Sequence, residues 1–335
     1  MKAITLFNNK GGVGKTTLAY HLAWMFREIG LRVLAVDLDP QSNLTTAFLP
    51  EDRLTDLWPD GAHSETVLGD IQPLLDRLGD IVTDPHVERI ENGLWLLPGD
   101  LGLTTFEDRQ AAAWPACFDD NAANAGDAFR VMTAYYRIME RAAEAHDVDI
   151  VLVDVGPNLG AINRAALVAS DHVVIPLAAD LFSLQGLRNL GPTLREWREG
   201  WKKRLGGKVP KGLSVPAGEM QPAGYVILQH AVRLDRPTKA YEPWVKRIPG
   251  AYRAHILNRP TPTRFEIPDP DPQLLATLKH YRSLMPLAQA VGKPMFFLKP
   301  ADGAIGAHVR AVQDCYRDFE SLARRIAATS GVAIE

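Results

Sequence analysis

The chain has 335 residues, 46% of them hydrophobic and 23% charged, which is ordinary globular composition and long enough to bury a large core. Its net charge of −3 gives no global pull toward nucleic acid or an anionic membrane, so any such binding must come from a local patch. Cys117 and Cys315 are far apart and outside any CxxC pair, so neither a disulfide framework nor a zinc or iron–sulfur site within one chain is expected.

The N-terminal MKAITLFNN lacks the pattern of a secretory leader, and no run approaches about 18 apolar residues. A reducing cytoplasm fits this cysteine usage. In chain order, residues 3–7 read as a buried strand entering a polar, glycine-rich loop. Residues 16–29 carry Leu18, Leu22, Met25, Phe26 and Ile29 at helical spacing, and Gly30 stops that helix. Residues 32–36 read as the next strand and deliver Asp37-Leu38-Asp39. Strand, loop, helix, strand is one βαβ unit with a parallel pair and a right-handed crossover.

Residues 50–93 look like an irregular insertion, with 94–98 as a strand after it. Residues 107–127 read as a loop or an inserted helical piece, and 128–145 as one helix. A continuous buried strand over 149–153 ends at Asp154; a helix at 160–169 and a strand at 172–177 follow. An amphipathic helix over 184–205 contains Pro192, which predicts a kink or break. Residues 206–222 read as an exposed loop and 224–229 as a strand. A proline-rich stretch at about 249–272 predicts an extended surface segment, and the last helix runs from about 306 to 327. The expectation is a single domain over 1–335 in the α/β class. It would hold a mostly parallel twisted sheet with helices on both faces, three layers in all.

Residues Gly11, Gly12, Val13, Gly14, Lys15, Thr16 and Thr17 lie between a strand and a helix and fit the phosphate-loop pattern, with Asn9 at its usual first glycine. Glycines let backbone N–H groups curl around phosphate oxygens, and the helix start adds its positive end. Lys15 suits neutralisation of phosphate oxygens, and the Thr16 hydroxyl suits Mg²⁺. Lys10, a second lysine before this loop, is not needed for phosphate binding as such.

The stretch KGGVGKT at 10–16 resembles the signature of the ParA/MinD family of deviant Walker A ATPases. DLDPQSNLTT at 37–46 resembles that family's switch I block, and DIVLVDVGPNLG at 149–160 its Walker B block. Residues 171–190 resemble the segment after it, and 284–306 more weakly its C-terminal region. The ParA side matches better than the MinD side. The resemblance implies a P-loop NTPase fold, ATP and Mg²⁺ as cofactors, and slow, partner-stimulated hydrolysis. It also implies a homodimer when ATP is bound. Lys10 would reach the neighbouring subunit's phosphates, Asp39 would orient the attacking water, and Asp37 and Asp154 would stand on the Mg²⁺ side. Gly156 departs from the family's usual residue-and-two-prolines pattern after the Walker B aspartate, where this chain reads Val155-Gly156-Pro157.

Partition or positioning on nonspecific DNA is the expected use of the switch, with a ParB-like or cargo-adaptor protein as partner. Candidate phosphate contacts are Arg188, Arg195, Arg198, Lys202, Lys203, Arg204, Lys208 and Lys211, with Lys246, Arg247 and Arg253 as a second group. No helix-turn-helix region precedes the first strand, so operator binding by an N-terminal domain is not expected. A MinD-like membrane anchor is the alternative. The helix at 309–326 has an apolar face, but its other face mixes Asp314, Asp318 and Glu320 with arginines, which suits core packing better than a lipid interface. A third alternative is an orphan relative serving a defence or cargo-placement system. An iron-protein-like reductase would need bridging cysteines, and neither cysteine suits that.

Overall fold

The structure is a computed structural model that describes residues 1–228, 242–260, 271–279, 281 and 283–334. Strands β1 (Lys2–Leu6), β2 (Val33–Asp37) and β5 (Ile150–Asp154) read KAITL, VLAVD and IVLVD. β2 and β5 are buried along their whole length, as expected of central parallel strands covered on both faces. They join β3 (Glu88–Glu91), β4 (Leu94–Leu97), β6 (His172–Ala178), β7 (Gln221–Leu228) and β8 (Leu274–Leu278). The sheet order is β3-β4-β2-β5-β1-β6-β7-β8, and among the described residues only the β3–β4 pairing is antiparallel.

One face packs under α1 (Lys15–Glu28), α12 (Leu284–Val291) and α13 (Ala307–Ser330), which share a core with Ile4, Leu6, Ala35 and Leu152. The other face carries α4 (Val67–Leu75) through α9 (Leu181–Leu205), packed on Ala3, Leu34, Val151 and Val153. The period-2 alternation of each strand therefore feeds two separate hydrophobic layers.

Several expectations are corrected. The irregular region 50–93 contains α3 (Glu51–Leu57), α4 and the edge strand β3. Of the two readings of residues 107–127, the helical one agrees with the structure, in α5 (Thr104–Ala116) and the start of α6 (Ala122–Met132). The single helix expected over 128–145 is two, α6 and α7 (Ala134–Ala145), joined at Thr133. The Thr133 hydroxyl donates to the Phe129 carbonyl and accepts from Arg137 Nε, and these bonds stabilise the joint.

Pro192 does not break α9, which runs unbroken from Leu181 to Leu205. The residue before it, Gly191, lies so close to the His255 carbonyl that a Cβ there would be 1.9 Å from its oxygen. That approach fixes the helix against a π-helical turn at Tyr252–Ile256. Within the proline-rich stretch, Pro249 sits in α11 (Ile248–Ala251) and residues 261–270 lie outside the described part; β8 opens just after the stretch, at Leu274. Gln229, at the end of the strand expected over 224–229, is also outside it.

Candidate functional site

Strand β1 lies between β5 and β6, where the chain connections diverge to opposite sides of the sheet. Ligands bind at the carboxyl ends of strands at such a switch point, and the predicted residues converge there. In-register pairing places Asp37 beside Asp154, and Asp154 beside Leu6.

The loop after β1 leads into α1. Gly12 and Gly14 adopt φ of 70° and 85°, a left-handed backbone that favours glycine. Gly11, Gly12 and Thr17 are exposed, Gly14 and Thr16 half-buried, and Val13 buried in the core. Gly14 is the N-cap of α1 and has no side chain to satisfy the first-turn amides, and no acidic residue occupies that turn. The helix thus begins with free N–H groups and its positive dipole end facing the cleft. Lys15 is only 6% exposed. Burial lowers its pKa, and Asp154 and then Asp39 oppose that shift.

The two strand-end carboxylates differ in their partners. Asp37 Oδ2 accepts from the Thr45 amide and hydroxyl, each at 2.8 Å, while its Oδ1 accepts from the Asp39 amide at 3.2 Å. Thr45 Oγ1 in turn accepts from the Gly99 amide at 2.8 Å. Asp37 therefore anchors the start of α2 (Asn43–Phe48), with both carboxylate oxygens already accepting hydrogen bonds. Asp154 is fully buried, and neither of its oxygens has a donor in good hydrogen-bond geometry, although the Thr16 hydroxyl lies near enough to favour its charged form. Burial, then the neighbouring Asp37, pushes Asp154 up to about 8, and burial pushes Asp37 up to about 7. A buried carboxylate without a well-formed hydrogen bond is costly unless a cation completes it. Together with the Thr16 hydroxyl, Asp154 fits a divalent cation.

Asp39 is 7% exposed, and its Oδ1 accepts from the Gln41 amide at 3.0 Å. A Cβ on Gly156 would stand 3.3 Å from that same oxygen, so the loop after β5 touches Asp39 directly. Lys10 is held differently from Lys15. Its ammonium pairs with Asp180, the N-cap of α9, and lies 5.7 Å from the centre of the Phe182 ring. Its side chain turns toward α9, away from the carboxylates around Lys15.

A cleft of about 980 Å³ joins these residues, running from Gly11, Lys15 and Asp39 past Tyr20 and Phe48 to Ala288 and Lys293. A smaller apolar cavity of about 140 Å³ opens beside Gly14 and Thr17, walled by Leu228, Leu278, Tyr281, Met285 and Phe319. These walls are functional candidates that motif reading missed. They come from chain segments more than 200 residues from the phosphate loop, where strand and helix patterns gave no sign that these side chains face the site. His21 ties the two regions together: one ring nitrogen bonds the Thr17 carbonyl at 2.7 Å and the other accepts from the Met295 amide at 3.1 Å. Burial lowers its pKa to about 4, so the ring is neutral.

The candidate DNA contacts separate once folded. Arg195 bonds the His255 carbonyl, Arg198 the Glu219 and Met220 carbonyls, Arg204 the Trp114 carbonyl, and Lys208 the Asp120 carbonyl. Arg204 is buried, whereas Arg188, Lys202, Lys203 and Lys211 are exposed. Helix α9 packs on the turn at 252–256, where Arg253 Nε donates to the Pro260 carbonyl at 3.3 Å. Helix α13 buries Cys315, Phe319, Leu322 and Ile326 against the core. Among the described residues, no helix is long and apolar enough to cross a membrane.

Comparison with known proteins agrees with this geometry. The AAA domain family matches residues 1–110 and 121–206. The chromosome-partitioning ATPase Soj of Thermus thermophilus is 32% identical over 207 residues, covering 61% of this chain and 66% of that protein. Protein IncC of Escherichia coli is 30% identical over 207 residues, covering 59% of this chain and 47% of its own length. The chain thus spans less than two thirds of either relative. Among solved structures, a Corynebacterium diphtheriae protein superimposes with a TM-score of 0.71 at 22% identity, covering 98% of both chains. A variant of Cyanothece McdA in complex with ATP gives 0.64 at 16% identity, covering 99% of this chain and 97% of that one. At such identities these two likenesses speak to the fold alone. The sequence matches, with the glycine loop, Lys10 and the strand-end aspartates, place this chain in the ParA/MinD family of deviant Walker A ATPases.

Proposed function

We propose that this chain binds Mg-ATP in the cleft, dimerises on it, hydrolyses it slowly, and uses the cycle to position DNA or a protein cargo. The observation that carries this reading is Asp154, a buried carboxylate without a well-formed hydrogen bond, beside buried Lys15 and a helix start rich in free amides. The loop amides and Lys15 would cradle the phosphates, and the apolar cavity walled by Leu228 and Met285 would take the base. Mg²⁺, held by Thr16 with Asp154, would supply charge neutralisation on the phosphate oxygens. Asp39 would orient the attacking water, and Gly156 would keep the adjoining loop close to it. Lys10, at the rim of the site, would complete a second subunit's phosphate site, as an arginine finger does. Leu159, Leu181 and Phe182 are exposed apolar side chains near the same rim and suit a surface that a second copy covers.

Arg188, Lys202, Lys203 and Lys211, exposed on α9 and the segment after it, favour duplex DNA as the surface on which the switch works, with a ParB-like protein or cargo adaptor stimulating release. The buried apolar face of α13 speaks against a MinD-like lipid anchor. The deciding experiment measures mass in solution with ATP and Mg²⁺, then binding to nonspecific duplex across a salt series. The reading requires an ATP-dependent dimer that Lys10→Ala abolishes while nucleotide still binds. It also requires DNA affinity that falls steeply with salt. A Lys10→Ala protein that hydrolyses ATP normally as a monomer would sink it.

A further inference from the structure

The loop after β5, residues 155–160, is fastened from two sides by residues with no role assigned above. Helix α8 (Ala161–Val168) begins with Gly160 at its N-cap, which has no side chain for the first-turn amides. Glu107 of α5 takes that place from outside the helix: its Oε1 accepts from the Ala161 amide at 3.0 Å. The approach is tight, for a Cβ on Gly160 would lie 2.0 Å from that oxygen. A carboxylate here also complements the positive end of α8.

Asn163 fastens the loop from within α8. It is 1% exposed, and its Nδ2 donates to the carbonyls of Gly156 and Asn158, each at 2.7 Å. Asn158 Oδ1 accepts from the Gly160 amide at 2.8 Å and closes the loop on itself. The far side of the same loop meets the nucleotide site. Gly156 abuts Asp39, and Pro157 Cγ would lie 3.8 Å from a Cβ on Gly11. Two loop residues that touch the phosphate loop and Asp39 are thus held in place by α8 and α5.

We propose that Glu107 is a positioning residue for turnover, acting with Asn163 to set the 155–160 loop against Asp39 and the phosphate loop. Glu107 touches no atom of the nucleotide site, so it acts through the loop. Its effect on turnover rests on the switch reading above, while its hold on the loop does not.

The test uses the full chain with Glu107→Ala, which loses the acceptor, and Glu107→Gln, which keeps one. Amide hydrogen exchange over residues 155–161 is measured without nucleotide, and nucleotide affinity and steady-state turnover are measured separately. Glu107→Ala is expected to exchange about five- to tenfold faster in this loop, the usual effect of a lost cap, with Glu107→Gln close to wild type. Turnover in Glu107→Ala should fall about tenfold with nucleotide affinity within about threefold, because only the aligned loop is lost. Gly160→Ala provides an independent approach, since its Cβ collides with Glu107 and should free the loop in the same way. Unchanged exchange in both Glu107→Ala and Gly160→Ala overturns the proposal. So does a Glu107→Gln protein as impaired as Glu107→Ala. A wild-type protein that does not hydrolyse ATP refutes the switch reading instead, and the exchange measurement still decides whether Glu107 holds the loop.

Discussion

Asp180→Asn isolates what the Lys10–Asp180 pair does. The two side chains are 28% and 35% exposed, so solvent screens them, and a pair of this kind is worth up to about 1 kcal/mol. Asp180 also caps α9, its Oδ1 accepting from the Ser183 amide at 2.8 Å. Burial would raise the Asp180 carboxyl, but Lys10 and the Ser183 amide more than reverse this and hold it below the usual range. Asparagine caps helices about as well as aspartate, so the substitution removes the charge and leaves the helix start. If Lys10 must leave Asp180 to reach a second subunit, removing the charge lowers the cost of dimerisation by up to about 1 kcal/mol per protomer. That is about fivefold per protomer and at most about 25-fold for the dimer. Sedimentation velocity across a concentration series, with ATP and Mg²⁺, reads the dimer dissociation constant directly. Dimerisation that is unchanged or weaker in Asp180→Asn would refute the reasoning, because the pair would then cost nothing or would persist in the dimer.

The carboxylate cluster makes stability depend on pH. Asp154 and Asp37 have pKa values raised to about 8 and about 7, so the folded state holds protons that the unfolded state gives up from about pH 4. Their favourable contribution is therefore fully present below about pH 4 and is lost as pH rises through about 7 to 8, where the charged forms are buried. Thermal melts of the nucleotide-free protein should show Asp154→Asn more stable than wild type at pH 8, with the gap closing toward pH 5. The same variant should lose Mg²⁺-dependent tightening of nucleotide binding by titration calorimetry. Thr45→Val removes the hydroxyl between Asp37 and the Gly99 amide and leaves two buried polar groups without it. Chemical denaturation should register a loss of about 2–3 kcal/mol. Asp39→Ala should keep ATP binding but lose about 100-fold or more in turnover and accumulate as dimer, visible by light scattering.

The chain by itself determined much of the site. The order of strand, glycine loop, helix and strand is local, and so the phosphate loop, its two lysines and the aspartates at the ends of β2 and β5 were legible as motifs. Buried parallel strands such as VLAVD and IVLVD announce themselves because both their faces must be apolar. What the sequence could not reveal depends on contacts between distant segments. It did not show that Thr45 and Asp39 occupy the oxygens of Asp37, which follows from the packing of α2 and the loop at Gly99 onto β2, or that the Asp154 oxygens lack a well-formed hydrogen bond. The short strand β3, with its charged ERIE sequence, has no period-2 apolar pattern to read and forms only because β4 offers its edge. The run of arginines on α9 looked like one basic face, yet backbone carbonyls of other segments claim three of them, since a partly buried guanidinium must find acceptors. Lys10 carried its identity in the motif, but only the fold, by setting the N-cap of α9 beside the loop, gave that lysine a counter-charge within its own chain.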